Sequence, residues 1–158
     1  MDDFPELDRI DFDILGLLQK NARTTNKDLA QRVGIAPSTC LERVRRLVDS
    51  GAIRGFHADI DPVALGVGLQ AIIAVRLSQH MRKMVDGFHD HLMNLTEVRG
   101  VFHITGSDDY LVHVAVKDSD HLRDLALDSF TTRPEVDHIH TRLIFEFTPT
   151  WRLPILAE

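Results

Sequence analysis

The chain has 158 residues, of which 44% are apolar and 27% charged, and its formal net charge at pH 7 is -6. This composition is typical of a globular protein with one large or two small domains, and the single cysteine, Cys40, excludes a disulfide framework and a cysteine-based zinc cage. No apolar run approaches the roughly 18 residues of a membrane span, and the acidic start MDDFPELDRIDFD lacks the pattern of a signal peptide, so we expect a cytoplasmic protein without a membrane partner.

Three helices and an extended segment are predicted for the first sixty residues. Asp8 is the expected N-cap of the first helix, with Asp11 three residues on as the reciprocal capping residue, and Thr25 is the expected N-cap of the second helix, which ends at Gly34. Pro37 suits the first position of the third helix. Helices on either side of a tight turn, followed by a strand, are typical of a winged helix-turn-helix. The predicted bounds are residues 7–23, 25–34 and 37–51 for the helices and 52–60 for the extended segment.

The charge of this first part is unevenly distributed. Residues 1–19 contain six acidic residues and one basic residue, whereas residues 20–54 contain eight basic residues and three acidic ones, so their net charges are -5 and +5. Contacts with phosphate depend on charges within a Debye length of about 8 Å, so the acidity of the whole chain does not argue against nucleic-acid binding. Residues 20–54 are therefore the candidate binding region.

The third predicted helix has an apolar stripe and a basic outer arc. At 100° per residue the stripe, which includes Cys40, Val44 and Leu47, spans about 120°. Arginines on an isolated helix are commonly a solvated surface, but this helix follows the tight turn, where a recognition helix is expected. Arginine contacts phosphate or guanine, and hydroxyl groups near a helix N-terminus contact phosphates or base edges. We assign groove contacts to Ser38, Thr39, Arg43 and Arg46, and DNA-backbone contacts to Arg23, Thr25, Arg45 and Arg54.

The second half of the chain has the predicted order βαββαβ, which indicates a ferredoxin-like sandwich with helices on only one sheet face. Two of its strands are apolar on both sides: Ile72 and Ala74 alternate with Ile73 and Val75. A sheet with one wet face should instead alternate apolar and polar residues, so we expect the uncovered face to pack on a second subunit. The predicted strands are residues 69–77, 98–105, 110–116 and 138–147, and the helices are residues 82–95 and 119–130.

Two stretches resemble the Lrp/AsnC (feast/famine) family of transcription regulators. NARTTNKDLAQRVGIAPSTCLERVRRLVDSGAIRGFHADIDPVALG is similar to the DNA-binding half of that family, and the turn TGSDDYLV resembles its Gly-x-x-Asp-Tyr/Phe element. One departure is Ala36, where the family usually has Ser, so a side-chain cap worth about 1 kcal/mol is absent. The resemblance implies an α+β chain with a winged helix-turn-helix domain at residues 1–60, a hinge at 61–67, and a ferredoxin-like effector-binding and oligomerisation domain at 68–158.

The same resemblance implies an amino-acid effector, bound at a subunit interface by the loop that carries the turn. Backbone N–H groups of a glycine turn suit the effector carboxylate, and a nearby aspartate suits its ammonium group. The residue pattern alone is better explained by an ordinary polar turn, and it is the family resemblance that favours the effector site. The candidate effector-binding residues are Gly106, Ser107, Asp108, Asp109 and Tyr110, with His103, Thr105 and Thr141 as further candidates.

The implied partners are double-stranded DNA, the effector and further copies of the chain. Family members dimerise sheet to sheet and often assemble into octamers. The recognition helices of a dimer would enter successive major grooves of an imperfect palindrome.

Other functions receive less support from the sequence. His138 and His140 share a strand face, and His103 lies near His113 across the predicted hairpin, but we predict no metal site and no cofactor. GVGLQA fits a dinucleotide-binding pattern only superficially, because a strand follows it. An enzyme on a ferredoxin-like scaffold and an assembly module with an idle helix-turn-helix remain the alternatives. We predict no catalytic residue, because no nucleophile and base pair is visible.

Overall fold

A computed structural model describes residues 6–79, 82–150 and 152–156. The first five residues, which begin the acidic segment used against a signal peptide, lie outside this range. The chain forms two compact units. One comprises the residues up to Asp59 together with those from Pro149 onward, and the other comprises Ile60–Thr148. The prediction that the C-terminal ten residues belong to the second domain is therefore wrong.

The C-terminal segment joins the first unit through contacts with its first helix. The backbone N–H of Leu153 donates to Oε1 of Gln19 at 2.6 Å, and Ile155 lies against Gly16. These contacts link positions more than 130 residues apart, which is why no local pattern indicated them.

The first unit is a trihelical domain whose predicted caps are confirmed. α1 spans Arg9–Lys20, α2 spans Asn26–Val33 and α3 spans Pro37–Asp49. Asp8 and Asp11 form a reciprocal capping box on α1, and the Thr25 hydroxyl accepts from the backbone N–H of Asp28 at the start of α2. Gly34, with φ of 76°, ends α2 in the left-handed conformation that glycine tolerates. The buried core of this unit consists of Ile14, Leu29, Ala30, Cys40 and Leu47.

The extended segment predicted after α3 is present, but it is not a β-strand. Gly51 adopts φ of 76° and ends the helix region as predicted. The N–H of Ile53 then returns to the carbonyl of Leu47 at 2.9 Å, and the structure assigns no strand to residues 52–60. A strand needs a partner for its backbone groups, and within the described part of the first unit none pairs with this segment.

The second unit is a four-stranded antiparallel sheet in the order β2-β3-β1-β4, which confirms the βαββαβ prediction. The second helix is shorter than predicted, because a π-helical turn at Leu127–Thr131 interrupts it. The last strand also begins and ends earlier than predicted. The elements of the second unit are β1 at Leu69–Leu77, α4 at Arg82–Met93, β2 at Val98–His103, β3 at Tyr110–Val116, α5 at Ser119–Ala126 and β4 at Val136–Leu143.

Helices cover one face of this sheet. Val75 of β1 pairs with Tyr110 of β3, and both pack into the main core with Phe88 of α4. The residues that alternate with these core residues along each strand form the outer face, defined here as the sheet face away from α4 and α5. It carries Ile72, Ala74, Arg76, Phe102, Leu111, His113, Ala115, His138 and His140. Its apolar middle agrees with the sequence pattern.

Candidate functional site

α3 exposes the polar side predicted for a recognition helix. Ser38 and Thr39 are exposed in its first turn, and Arg45 is exposed farther along. Pro37 occupies the start of the helix, and Ala36 provides no side-chain hydrogen bond as a cap, as the sequence indicates. The N–H groups of this first turn that lack an intrahelical partner can therefore donate hydrogen bonds to a phosphate oxygen.

Arg43 faces α1 rather than the surface. Its Nη1 lies 2.7 Å from Oδ2 of Asp8 and 3.0 Å from Oδ1 of Asp11, and only 22% of its side chain is exposed. The predicted groove contact of Arg43 is therefore wrong for this geometry. The physical reason is that Asp11 is fully buried between α1 and α3, and a buried carboxylate needs a cationic partner.

Arg46 shares the same acidic partner but stays accessible. Its Nη2 donates to Oδ2 of Asp11 at 2.6 Å, while 48% of the side chain remains exposed. Asp11 therefore accepts from two of the arginines of α3, Arg43 and Arg46, as well as from the backbone N–H of Asp8. This carboxylate fixes the position of α3 on α1. Sequence reasoning recognised it only as a capping residue.

The ion pairs shift the protonation of the groups that form them. The pKa of Asp8 is held below its usual value, mainly by the hydrogen bond from the backbone N–H of Asp11 and then by Arg43. The pKa of Arg43 is raised by its hydrogen bonds to Asp8 and Asp11. Burial raises the pKa of the Cys40 thiol, which agrees with a core role for this residue.

The predicted DNA-backbone contacts differ in availability. Arg23, Arg45 and Arg54 are exposed and, among the residues that the structure describes, have no carboxylate partner. The hydroxyl of Thr25 is engaged in capping α2 and donates to Oδ2 of Asp28 at 2.7 Å.

Asn26 is a residue of this region that sequence reasoning missed. Its Nδ2 donates to the carbonyl of Pro37 at 2.7 Å, and its buried Oδ1 has no hydrogen-bond partner in the part of the chain that the structure describes. The contact ties the start of α2 to the start of α3. An asparagine directly after a cap gives no local signal of such a contact.

The second candidate site is the loop of residues 104–109, which joins β2 to β3. Gly106 adopts φ of 126°, a conformation that L side chains rarely adopt. Asp109 anchors the loop to β1: its backbone N–H donates to the Val75 carbonyl at 2.8 Å, and its Oδ2 accepts from the Leu77 N–H at 2.7 Å. The carboxylate of Asp109 therefore stabilises the loop. This leaves Asp108 as the aspartate better placed to meet a bound ammonium group.

Asp108 lies beside two histidines of β4. Asp108, His138 and His140 each place a potential ligand atom within 4.8 Å of the others. The two imidazole rings meet edge to face, with centroids 5.1 Å apart. Nδ1 of His138 lies 2.9 Å from Oδ2 of Asp137, and Oγ of Ser107 donates to Oδ2 of Asp108 at 3.2 Å. The shared face of His138 and His140 was predicted, but their proximity to Asp108 was not.

The remaining effector candidates are not gathered around Asp108. Tyr110 is 1% exposed within the main core and donates to the Val85 carbonyl at 3.2 Å, so its predicted effector contact is wrong for this geometry. Burial, followed by the charges of two aspartates, raises its pKa. His103 stacks on Tyr110 at 4.7 Å. Thr141 pairs with Ile73 and so lies on the face of β4 opposite His138 and His140. Thr105 is exposed in the loop.

His113 lies on the outer face and is nearly buried within one chain. Its Nε2 is 2.9 Å from Oε1 of Gln70, and its ring contacts Phe147 edge to face at 5.1 Å. Burial lowers the pKa of His113, and the positive charge of Arg99 lowers it further. Because His103 pairs with Tyr110 and lies on the opposite sheet face, it does not approach His113.

The two halves of the chain match two described domain families. Residues 7–54 match the winged helix-turn-helix DNA-binding domain, and residues 70–148 match the Lrp/AsnC ligand binding domain. In the described part of the chain, no helix has the length and apolar character to cross a membrane.

Similar proteins are transcriptional regulators. The HTH-type transcriptional regulator AldR of Mycobacterium tuberculosis is 46% identical over 141 residues, covering 89% of this chain and 79% of the relative. The leucine-responsive regulatory protein of Escherichia coli K12 is 34% identical over the same length, covering 89% and 86%.

Solved structures with a similar fold also include transcriptional regulators. Mycobacterium tuberculosis AldR superposes with a TM-score of 0.77 at 40% identity, covering 94% of this chain and 100% of that one. A Neisseria meningitidis transcriptional regulator in complex with L-Met gives a TM-score of 0.86 at 31% identity, covering 94% and 97%.

Proposed function

Because the chain belongs to the Lrp/AsnC family of transcriptional regulators, we propose that its first unit binds duplex DNA through α3 and that its second unit binds an amino acid at the loop of residues 104–109. The observation that carries this proposal is the exposed first turn of α3, next to arginines that have no carboxylate partner among the described residues. The protein acts as a regulator by binding, and not as an enzyme.

The proposed DNA contacts are of two kinds: some side chains read base edges, and others position the protein on the phosphate backbone. Ser38 and Thr39 lie at the N-terminal end of α3, the part of a recognition helix that meets base edges. Arg46 contributes its exposed side while it remains hydrogen-bonded to Asp11. Arg23, Arg45 and Arg54 contact phosphates. Arg43 holds α3 against α1 and acts on DNA binding only through that position.

Substitution of the free arginines tests this division. The binding duplex is first selected from a randomised pool with the wild-type protein, and affinities are then measured by fluorescence anisotropy over a salt series. The three arginines assigned to phosphates in each subunit, Arg23, Arg45 and Arg54, give a dimer about six phosphate contacts and a slope of log affinity against log salt of about -5. Arg45→Ala should reduce the magnitude of this slope by about 2 for the dimer, since each lost contact removes about 1.

Arg123→Ala is the matched control for Arg45→Ala, because Arg123 is an exposed arginine of the second unit whose ion pairs, among the described residues, are with the neighbouring Asp120 and Asp124. It should leave the slope unchanged. An unchanged slope for Arg45→Ala, with the fold intact by circular dichroism, would contradict the assignment of α3 to the DNA interface.

The effector site is proposed at Gly106, Ser107 and Asp108, with Thr105 beside them. The N–H groups of the glycine turn suit a carboxylate, and Asp108 suits an ammonium group. The Neisseria relative that was solved with L-Met supports an amino acid as the ligand class. Thermal shift against the twenty amino acids identifies the effector. Asp108→Asn should abolish that shift, whereas Asp120→Asn on α5 should preserve it. A full shift in Asp108→Asn would refute the assignment.

The outer face supports assembly from several copies of the chain. Phe102 is 59% exposed beside the half-buried Ile72 and Leu111, and an apolar sheet face of this kind stays dry when a second copy covers it. We propose a dimer formed through the apolar middle of this face, with the histidines of the edge strand β4 outside it, and assembly of dimers into an octamer. An effector bound at a subunit interface would then favour one assembly over another, because it contacts two chains.

The hinge proposed for residues 61–67 contains a short turn at Pro62–Leu65. We place the protein in the cytoplasm, where its DNA target lies.

A further inference from the structure

We propose that Asp108, His138 and His140 form a binding site for a divalent transition-metal ion of the Zn²⁺ class. Their potential ligand atoms lie within 4.8 Å of one another. Zn²⁺ with ligand distances of about 2.0–2.1 Å places its ligand atoms about 3.4 Å apart. The histidines are exposed, so small rotations of their side chains bring the three groups to that spacing.

The hydrogen bonds around the cluster favour metal binding. Oδ2 of Asp137 lies 2.9 Å from Nδ1 of His138, so a proton on Nδ1 would be donated to Asp137 and would leave the lone pair of Nε2 for a cation. A carboxylate that accepts from a ligating histidine in this way fixes the orientation of its ring. Ser107 donates to Oδ2 of Asp108, and among the described residues no hydrogen bond engages Oδ1 of Asp108.

The ligand set selects the kind of ion. Two imidazoles and one carboxylate suit Zn²⁺, Co²⁺ or Ni²⁺, whereas Mg²⁺ and Ca²⁺ prefer oxygen ligands throughout. Three protein ligands leave a coordination position open for water or another ligand. Two arginines lie near the cluster on the outer face. Arg76 pairs with His138 across the strands and its guanidinium donates to the carbonyl of Ser107. Arg142 lies two residues beyond His140 on β4. The carboxylates of Asp108 and Asp137 offset this positive charge.

The arrangement depends on the sheet and on the loop together. His138 and His140 are two residues apart on β4, so their side chains share the outer face. The loop of residues 104–109 brings Asp108 to the same edge because Asp109 is hydrogen-bonded to Leu77 of β1, the neighbour of β4. The metal site stands on this geometry and does not depend on the proposed regulatory function.

Calorimetric titration of the full chain with ZnCl₂, in a non-chelating buffer without amino acids, tests the proposal. We expect one saturable high-affinity ion per chain. His140→Gln and Asp108→Asn should each weaken its binding by at least about 100-fold, and Asp137→Asn by about tenfold, as removal of a supporting carboxylate typically does. The matched control is His89→Gln, which removes an exposed histidine of α4 and should leave the affinity unchanged.

Two results would overturn the site. One is the absence of stoichiometric Zn²⁺ binding by the wild-type protein. The other is binding of equal affinity in His140→Gln and in wild type, which would show adventitious binding by other histidines. Circular dichroism establishes that each variant is folded, and two variants on different elements protect against a folding defect in one. Because Asp108 is shared with the effector loop, metal is titrated alone, so failure of the metal site leaves the amino-acid shift intact and the reverse also holds.

Discussion

Asp11 is the residue whose replacement tests the structure of the DNA-binding unit most directly. Its buried carboxylate accepts from the Asp8 N–H, from Arg43 and from Arg46. Removal of one partner of a buried ion pair costs about 3–5 kcal/mol. Here Arg43 retains Asp8 and Arg46 is half exposed, so both guanidinium groups recover a partner or water. We therefore expect Asp11→Asn to destabilise the first unit by about 2.7 kcal/mol, a 100-fold change in its opening equilibrium.

Hydrogen exchange followed by mass spectrometry on the full chain measures this change without assuming one unfolding transition. Protected amides of α1 and α3 should exchange about 100-fold faster in Asp11→Asn, whereas amides of β1 and β3 should keep their rates and serve as an internal control. Asp13→Asn is the matched variant: its exposed pair with Arg9 at 4.0 Å contributes little. Equal exchange in Asp11→Asn and Asp13→Asn would refute the role of Asp11 in fixing α3.

Three further predictions follow from the same geometry. Ala36→Ser should add the missing cap of α3 and stabilise the first unit by about 1 kcal/mol, measured as slower exchange in α3. Because the pKa of folded His113 is below that of the unfolded chain, the melting temperature should fall as pH drops below about 6.5, and His113→Gln should remove that dependence whereas His89→Gln should not. Phe102→Glu should reduce the oligomer mass in analytical ultracentrifugation, and Leu127→Glu, an equally exposed apolar position on the π-helical turn, should not.

The elements of both units could be predicted because they depend on local signals. β1 and β3 have the predicted ends, and the caps at Asp8 and Thr25 are confirmed. Apolar periodicity and capping chemistry act within a few residues, so a single sequence contains them. The same holds for the strand alternation that placed His138 and His140 on one face.

The errors concern side chains whose partners are distant in sequence. A helical wheel placed Arg43 on the outer arc because it measures only the angle from the apolar stripe, and it contains no information about the carboxylate that α1 presents. Asp109 was predicted to contact the effector because it occupies the Asp position of the Gly-x-x-Asp-Tyr/Phe element, and the sequence contains no indication that its carboxylate accepts from the Leu77 N–H on another strand. Tyr110 begins a strand on the helix-covered side, and that side follows from the register with β1.

The positive charge of residues 20–54 therefore has two separate uses. Arg43 and part of the charge of Arg46 are neutralised by Asp8 and Asp11, which come from the acidic first segment of the chain. The opposite charges of the two segments thus serve first to hold α3 on α1. In the function proposed above, the cations left without a carboxylate, together with the exposed side of Arg46, release counterions from DNA. A count of basic residues in the sequence therefore overstates the charge available for phosphate contacts, and the proposed orientation of Ser38 and Thr39 toward a groove depends on the contacts of Arg43 and Arg46 with Asp11.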